Sequence, residues 1–128
     1  MELGAQTSAL KAVLEAKAGA TAEPISARKG AAAIALIYKV MGKMFAILSV
    51  RGAQSVILKC DPHLVEILKA KYAGVGHRSH LDRRFWICVT LDADVPPDEI
   101  ESLVAGSYEL VCSALTRKQK AELSGLSS

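Results

Sequence analysis

Three strand-like runs lie within residues 34–60, which read IALIYKVMGKMFAILSVRGAQSVILKC. Apolar and β-branched residues dominate the runs, which cover residues 34–41, 43–50 and 55–60. Met41-Gly42, where the first two runs meet, is a plausible two-residue hairpin turn, because glycine tolerates the positive φ that such a turn requires. Because consecutive strands with short connections pair antiparallel, this stretch predicts an antiparallel sheet.

Both faces of this sheet carry apolar side chains. Alternation in the second run places Met44 and Ala46 on one face and Phe45 and Ile47 on the other. We expect helices to cover one face and to leave the other partly uncovered. An apolar sheet face of that kind is a candidate contact surface. In the alternative reading, loops or the terminal helix cover the second face as well.

The N-terminal third predicts a helix and then a loop. Apolar residues recur at helical spacing over residues 10–14, and Thr7 or Ser8 can cap this first helix. Residues 21–30 contain Pro24 and show little periodicity, which is typical of a loop.

Three further helices have clear start signals. Asp61-Pro62 predicts a helix directly after the third strand, because Asp accepts a capping hydrogen bond and Pro fits the first turn. Residues 96–99, with two prolines and two acids, open the longest helix. Thr116 and Gln119 have the spacing of a capping box, which predicts a short terminal helix.

A second strand pair is predicted over residues 75–81 and 84–91, joined near Asp82-Arg83. The main element order is then α-β-β-β-α-β-β-α. This order predicts a single α+β domain over residues 1–128, with two layers and an antiparallel sheet of about five strands with helices on one face.

Composition bounds the class of protein. The chain has 128 residues, of which 51% are hydrophobic, and this apolar content excludes intrinsic disorder. Sixteen Lys and Arg residues against thirteen acids give a net charge of +3, which is too weak by itself to indicate nucleic-acid binding.

The compartment is predicted from the cysteines and the hydropathy. Cys60, Cys88 and Cys112 are widely spaced, which predicts reduced thiols in a cytoplasmic protein. Residues 1–9 have neither a basic flank nor an apolar run, so we expect no signal peptide. Residues 31–50 are strongly apolar, but each lysine at the centre would cost roughly 3 kcal/mol in a membrane, so we expect no membrane partner.

Five short motifs follow one another between residues 39 and 123. They are KVMGKMFA at 39–46, LKCDP at 58–62, YAGV at 72–75, HLDRRFW at 80–86 and SYELV at 107–111. In content, order and spacing they resemble the MmcQ/YjbR family. Residues 1–30, the first helix and loop, match poorly, because residues 24–30 stand where the family has a Pro-Phe-Gly segment.

The resemblance implies a frataxin-like, or CyaY-like, two-layer fold, related in layout to type III secretion chaperones. Members of the family are commonly described as DNA-binding proteins. The resemblance brings no catalytic residues and no cofactor, so we expect a non-enzymatic protein whose partner is DNA or RNA.

Residues 69–84 are the most cationic part of the chain, with five Lys or Arg residues against one acid. Cations interleaved with rings can hold phosphates while a base stacks. The candidate nucleic-acid contacts are Lys69, Lys71, Arg78, Arg83 and Arg84, the ring of Trp86, and a second basic cluster of Arg117, Lys118 and Lys120. The alternative for these residues is a solvated helix face, a hairpin tip, a packing ring and a solvated terminus. Residues 92–109 hold six acids and no Lys or Arg, so they would repel a polyanion.

Two other kinds of site are less consistent with the sequence. His77, His80 and Asp82 suggest a metal site, but strand residues three apart point to opposite faces, so we expect no functional metal site and hydrogen-bonded histidines instead. Cys60 precedes a helix start, where a thiolate would be favoured, yet it lies on the predicted core face. We therefore expect a buried structural thiol.

The leading hypothesis is a DNA-binding domain that contacts phosphates through residues 69–84 and 117–120. The alternative is a protein-interaction or chaperone-like module that uses the apolar sheet face. A weaker third hypothesis is ligand or metal binding near His77 and His80. The sequence leaves the oligomeric state open.

Overall fold

The computed structural model describes residues 4–52, 54–77 and 81–127. Four helices and a six-stranded sheet follow one another in these residues as α1 (Ala5–Glu15), β1 (Ala20–Ser26), β2 (Ala33–Val40), β3 (Lys43–Ser49), β4 (Ser55–Lys59), α2 (Pro62–Lys71), β5 (Val75–Gly76), β6 (Trp86–Thr90), α3 (Pro97–Ser113) and α4 (Arg117–Ser127). The sheet has the order β1-β2-β3-β4-β6-β5, and every pair is antiparallel. The α+β prediction is confirmed, with one strand more than the five expected.

The additional strand is β1, which lies where the sequence predicts a loop. It pairs with β2 along its whole length, from Ala20 opposite Val40 to Ser26 opposite Ala33. Six of its seven side chains are exposed, so the segment has no apolar alternation to reveal it. Proline is tolerated in an edge strand, and Pro24 therefore marks the edge of this sheet and not an irregular loop.

The predicted hairpin between β2 and β3 is confirmed. Met41 and Gly42 have φ values of 49° and 80°, so both residues of the turn are left-handed. A two-residue turn of this kind matches the right-handed twist of the two strands. The stretch with membrane-like hydropathy is thus a hairpin, and the described residues contain no helix that is long and apolar enough to cross a bilayer.

A β-bulge corrects the predicted faces of β3. Tyr38 pairs with Ala46 and Lys39 with Met44, so Phe45 is an extra residue in the ladder. Phe45 and Ala46 are both completely buried, whereas Met44 takes the opposite face with Lys39. The simple alternation in the sequence fails here because a bulge inserts one residue without a partner.

Helices cover one face of the sheet, as predicted. The core contains strand residues from that face together with apolar residues of α1, α2 and α3, among them Leu14, Leu68 and Val104. The opposite face receives no helix from this cluster, and we refer to it as the open face. Two of its central side chains are nonetheless buried, since Ile57 is 8% exposed and Cys88 is 4% exposed.

The helix starts are confirmed except for the first. The Asp61 carboxylate accepts from the His63 amide at 2.9 Å and caps α2. Thr116 and Gln119 form the reciprocal capping box, with distances of 3.0 and 3.1 Å. Helix α1, however, begins after Gly4. Thr7 is buried and donates to the side chain of Gln54, so it bonds the helix to the connection between β3 and β4 and does not cap the helix.

The predicted second hairpin is much shorter than expected. Strand β5 has two residues, β6 begins only at Trp86, and residues 82–85 form a turn. The Asp82 carbonyl accepts from the amides of Phe85 and Trp86, both at 3.0 Å. Arg83 and Arg84 therefore lie in a tight turn that leads into β6.

Candidate nucleic-acid interface

The end of α2 presents two of the predicted cations to solvent. Lys69 is exposed and has no anionic partner among the described residues. Lys71 Nζ lies 3.9 Å from Glu99 Oε1 and 5.2 Å from the centre of the Tyr72 ring. Glu99 belongs to the acidic segment of α3, so part of the charge of Lys71 is balanced inside the domain.

In the turn before β6, Asp82 holds Arg84. Its carboxylate accepts from the Arg84 amide at 2.9 Å, from Nε at 3.1 Å and from Nη2 at 2.7 Å. These hydrogen bonds lower the pKa of Asp82 to about 2 and raise the pKa of Arg84. The guanidinium also lies 5.3 Å from the centre of the Phe85 ring. A phosphate would have to compete with Asp82 for Arg84.

Arg83 differs from its neighbour, because it is exposed and forms no ion pair within the part of the chain that is described. The predicted contact Arg78 lies outside the described residues. Trp86 is partly exposed on the open face, directly opposite Lys59 of β4. The structure thus places Trp86 and Lys59 together, whereas Lys69 and Lys71 belong to α2, on the helix side of the sheet.

The second basic cluster lies in the first turn of α4. Arg117, Lys118 and Lys120 are all exposed and have no anionic partner among the described residues. The capping box satisfies backbone groups at this helix start without using any of the three.

His77 behaves as predicted for a hydrogen-bonded histidine. Its Nε2 donates to the Leu81 carbonyl at 2.6 Å and so bridges the start of the connection between β5 and β6. His80 lies outside the described residues. Among the residues that are described, no group of three His, Cys, Asp or Glu side chains could hold a metal ion.

Asp94 has a structural role that the sequence did not reveal. Its carboxylate accepts from the Ala73 amide at 2.7 Å and from the Gly74 amide at 2.8 Å. A Cβ at Gly74 would come within 2.6 Å of Asp94 Oδ1, so only glycine leaves room for this contact. One acid of residues 92–109 is therefore bound to the segment between α2 and β5. The YAGV motif marks Gly74 in the sequence, but no regular spacing links it to Asp94, which lies 20 residues later.

Cys60 is a buried core residue, 5% exposed, as predicted. Burial raises the pKa of its thiol to about 11, and the Asp61 carboxylate adds to the shift. The dipole of α2 does not activate it, because Cys60 precedes the capping residue and faces the core.

We therefore expect the three thiols to react in a defined order. In the native protein at about pH 8, a disulfide reagent should modify the partly exposed Cys112 before Cys60 and Cys88, because only thiolates that solvent reaches are attacked. In denaturant all three should react quickly. Mass spectrometry of peptides after brief labelling measures the order, and rapid native labelling of Cys60 would contradict it.

The comparisons with known proteins agree with this architecture. The model of the YjbR family matches residues 16–110. The chain belongs to the YjbR family. Its YjbR domain is 31% identical to "Uncharacterized protein YjbR" of Escherichia coli K12 over 83 residues, which are 64% of this chain and 70% of the relative. The protein of the same name from Escherichia coli O157:H7 gives the same values.

Two solved structures are similar to the YjbR domain. The crystal structure of Deinococcus radiodurans protein DR2400, with a DUF419 domain, has a TM-score of 0.77 and 26% identity, covering 90% of this chain and 85% of that one. A crystal structure from Pseudomonas syringae has a TM-score of 0.58 and 22% identity, covering 70% and 86%, and shows the fold alone.

Proposed function

We propose that this YjbR domain is a non-enzymatic, cytoplasmic binding module that contacts DNA or RNA through its basic residues. The observation that supports this most directly is the state of five exposed cations. Lys69, Arg83, Arg117, Lys118 and Lys120 have no anionic partner in the described part of the domain, a state that they share with Arg28, Lys29, Lys43 and Arg51. Cations left unpaired in this way are available to phosphates.

The position of the α4 cluster supports the same function. The start of a helix is electrostatically positive, so cations there do not stabilise the helix. Three of them in the first turn, beside a complete capping box, have no structural role of their own. A bound polyanion would balance this charge. The three cysteines are free thiols, which fits a reducing cytoplasm.

A paired substitution tests the proposal. We expect Lys69→Ala with Arg83→Ala to weaken binding to any duplex and to reduce the slope of log K against log salt by about 2, since each phosphate contact contributes about 0.9. Fluorescence anisotropy with a labelled duplex over a salt series measures both quantities.

The matched control is Arg28→Ala with Lys29→Ala, which removes the same charge from the exposed loop between β1 and β2. If the two double variants bind alike, the contact depends only on net charge and the proposed surface is wrong. Affinity that does not change with salt would overturn the proposal altogether.

The alternative function is protein binding at the open face. It is favoured by one observation, a row of apolar side chains in register across the sheet that includes Ile37, Ile47 and Ile57. Ile37 is partly exposed, so Ile37→Lys should fold and should abolish such a contact. Light scattering of both proteins would detect a self-association that the variant loses.

A further inference from the structure

Most side chains of the open face lie in register across neighbouring strands. The central row crosses all six strands as Glu23, Ile37, Ile47, Ile57, Cys88 and Gly76. A polar row on one side ends in Ser49, Ser55 and Thr90. On the other side, Lys39 lies opposite Met44 and Lys59 lies opposite Trp86, as two separate cross-strand pairs. The face is thus an apolar strip with a cationic, aromatic border.

The charged side chains of the open face are mostly positive. Among the described residues of this face the only carboxylate is Glu23, and its Oε2 lies 2.9 Å from Lys39 Nζ. Lys59 has no anionic partner among the residues described. At the end of β4, however, Lys59 also lines a groove between α2 and α3, together with Asp61 and Glu109. A ligand on the sheet surface itself therefore meets ammonium groups, a ring and aliphatic side chains.

We propose that the open face binds the unpaired bases of a single-stranded nucleic acid, with a base stacked on Trp86 and a neighbouring phosphate on Lys59. This inference rests on the proposed function, which makes nucleic acid the ligand, and it adds that the bound nucleic acid is single-stranded. The two side chains are direct cross-strand partners, so their Cβ atoms are roughly 5 Å apart. Exposed rings on a sheet, beside lysines that follow the backbone, are the usual arrangement for unpaired bases.

The turn before β6 fixes the direction from which the strand approaches. The Asp82 carbonyl holds the amides of Phe85 and Trp86, so Arg83 lies three residues before the ring in a rigid turn. A backbone that contacts Arg83 can continue onto Trp86 and Lys59 at the same end of β6. Duplex DNA cannot use the ring in this way, because its bases are stacked inside the helix.

Trp86 is the only tryptophan of the chain, which gives the proposal a direct readout. An oligothymidylate of about 20 nucleotides should quench the tryptophan fluorescence on binding, and a duplex of equal length should not. Trp86→Ala should weaken binding of the labelled oligonucleotide roughly 5- to 150-fold, and Trp86→Phe should restore most of the affinity. Lys59→Ala should reduce the salt slope by about 0.7.

The matched control is Phe85→Ala, which removes the adjacent exposed ring outside the sheet and should leave the affinity within about twofold. If duplex binding persists but the oligonucleotide neither quenches Trp86 nor responds to Lys59→Ala, this proposal is wrong and the proposed function stands. If neither ligand binds, both are wrong. Self-association that Ile37→Lys abolishes, without oligonucleotide binding, would assign the face to a protein partner.

Discussion

Replacing Ser107 by alanine should lower the free energy of unfolding by about 3 kcal/mol, because two buried backbone groups lose their partner at roughly 1–3 kcal/mol each. Ser107 is 0% exposed. Its hydroxyl accepts from the Lys59 amide at 2.9 Å and donates to the Phe45 carbonyl at 2.6 Å. It thus completes the ladder between β3 and β4 at the bulge, where the strands alone leave these groups unpaired.

Urea unfolding followed by circular dichroism measures the loss, and the melting temperature should fall by roughly 10 °C. Ser113→Ala is the control. Ser113 is in the same helix, but it is exposed and bonds only the Leu110 carbonyl one turn earlier. That variant should stay within about 0.5 kcal/mol of the parent. Equal stability of the two variants would show that the bulge does not depend on Ser107.

Gly74→Ala should cost about 2 kcal/mol, because the new methyl group displaces the Asp94 carboxylate from two hydrogen bonds to backbone amides. The glycine cannot simply move away, since its carbonyl accepts from the Thr90 amide at 2.8 Å. Chemical unfolding measures the cost. Gly76→Ala, where a Cβ meets nothing within 4 Å, is the control and should be nearly neutral.

A double-mutant cycle tests the mechanism of this effect. In an Asp94→Ala background the closest collision partner is absent and only Ala93 Cβ, 3.3 Å from the new Cβ, remains tight, so Gly74→Ala should cost about 1 kcal/mol less than in the parent. The two substitutions should therefore be strongly coupled. If their costs add, the glycine is required for some reason other than the carboxylate.

The sequence correctly predicted the turns and helix starts that depend only on residues adjacent in the chain. Met41-Gly42 forms the turn because two left-handed residues are all that the hairpin needs. Asp61 and the Thr116–Gln119 pair act within three residues of themselves. Strands β4 and β6 pair without a bulge, so their side chains alternate regularly between the two faces of the sheet.

What the sequence did not predict depends on partners that are distant in the chain. Strand β1 exists because β2 offers it an edge, and its own exposed residues give no sign of that. Phe45 faces the core as the extra residue of the bulge between β2 and β3, and its carbonyl accepts from Ser107, 62 residues later. The shortened β5 and the turn at residues 82–85 place Arg84 and Phe85 outside the strand predicted from residue 84, whereas Arg83 lies in the connection as predicted.

The sequence indicated which basic residues could form the candidate site, but not how these residues are paired or placed in the fold. Basic residues were chosen by charge alone, so Arg84, which Asp82 holds, could not be told apart from Arg83, which is unpaired. Lys59 was not chosen, because its value as a contact depends on its register with Trp86. Only the sheet order β4-β6 brings the two together.

The charge at the start of α4 makes salt act on the domain in two opposite ways. Added ions screen the repulsion between three cations and the positive end of their own helix, and so stabilise the free form of this segment. The same ions compete for phosphates and weaken a complex. At low salt, therefore, helix α4 of the free domain is least stable, and a bound polyanion would stabilise it most.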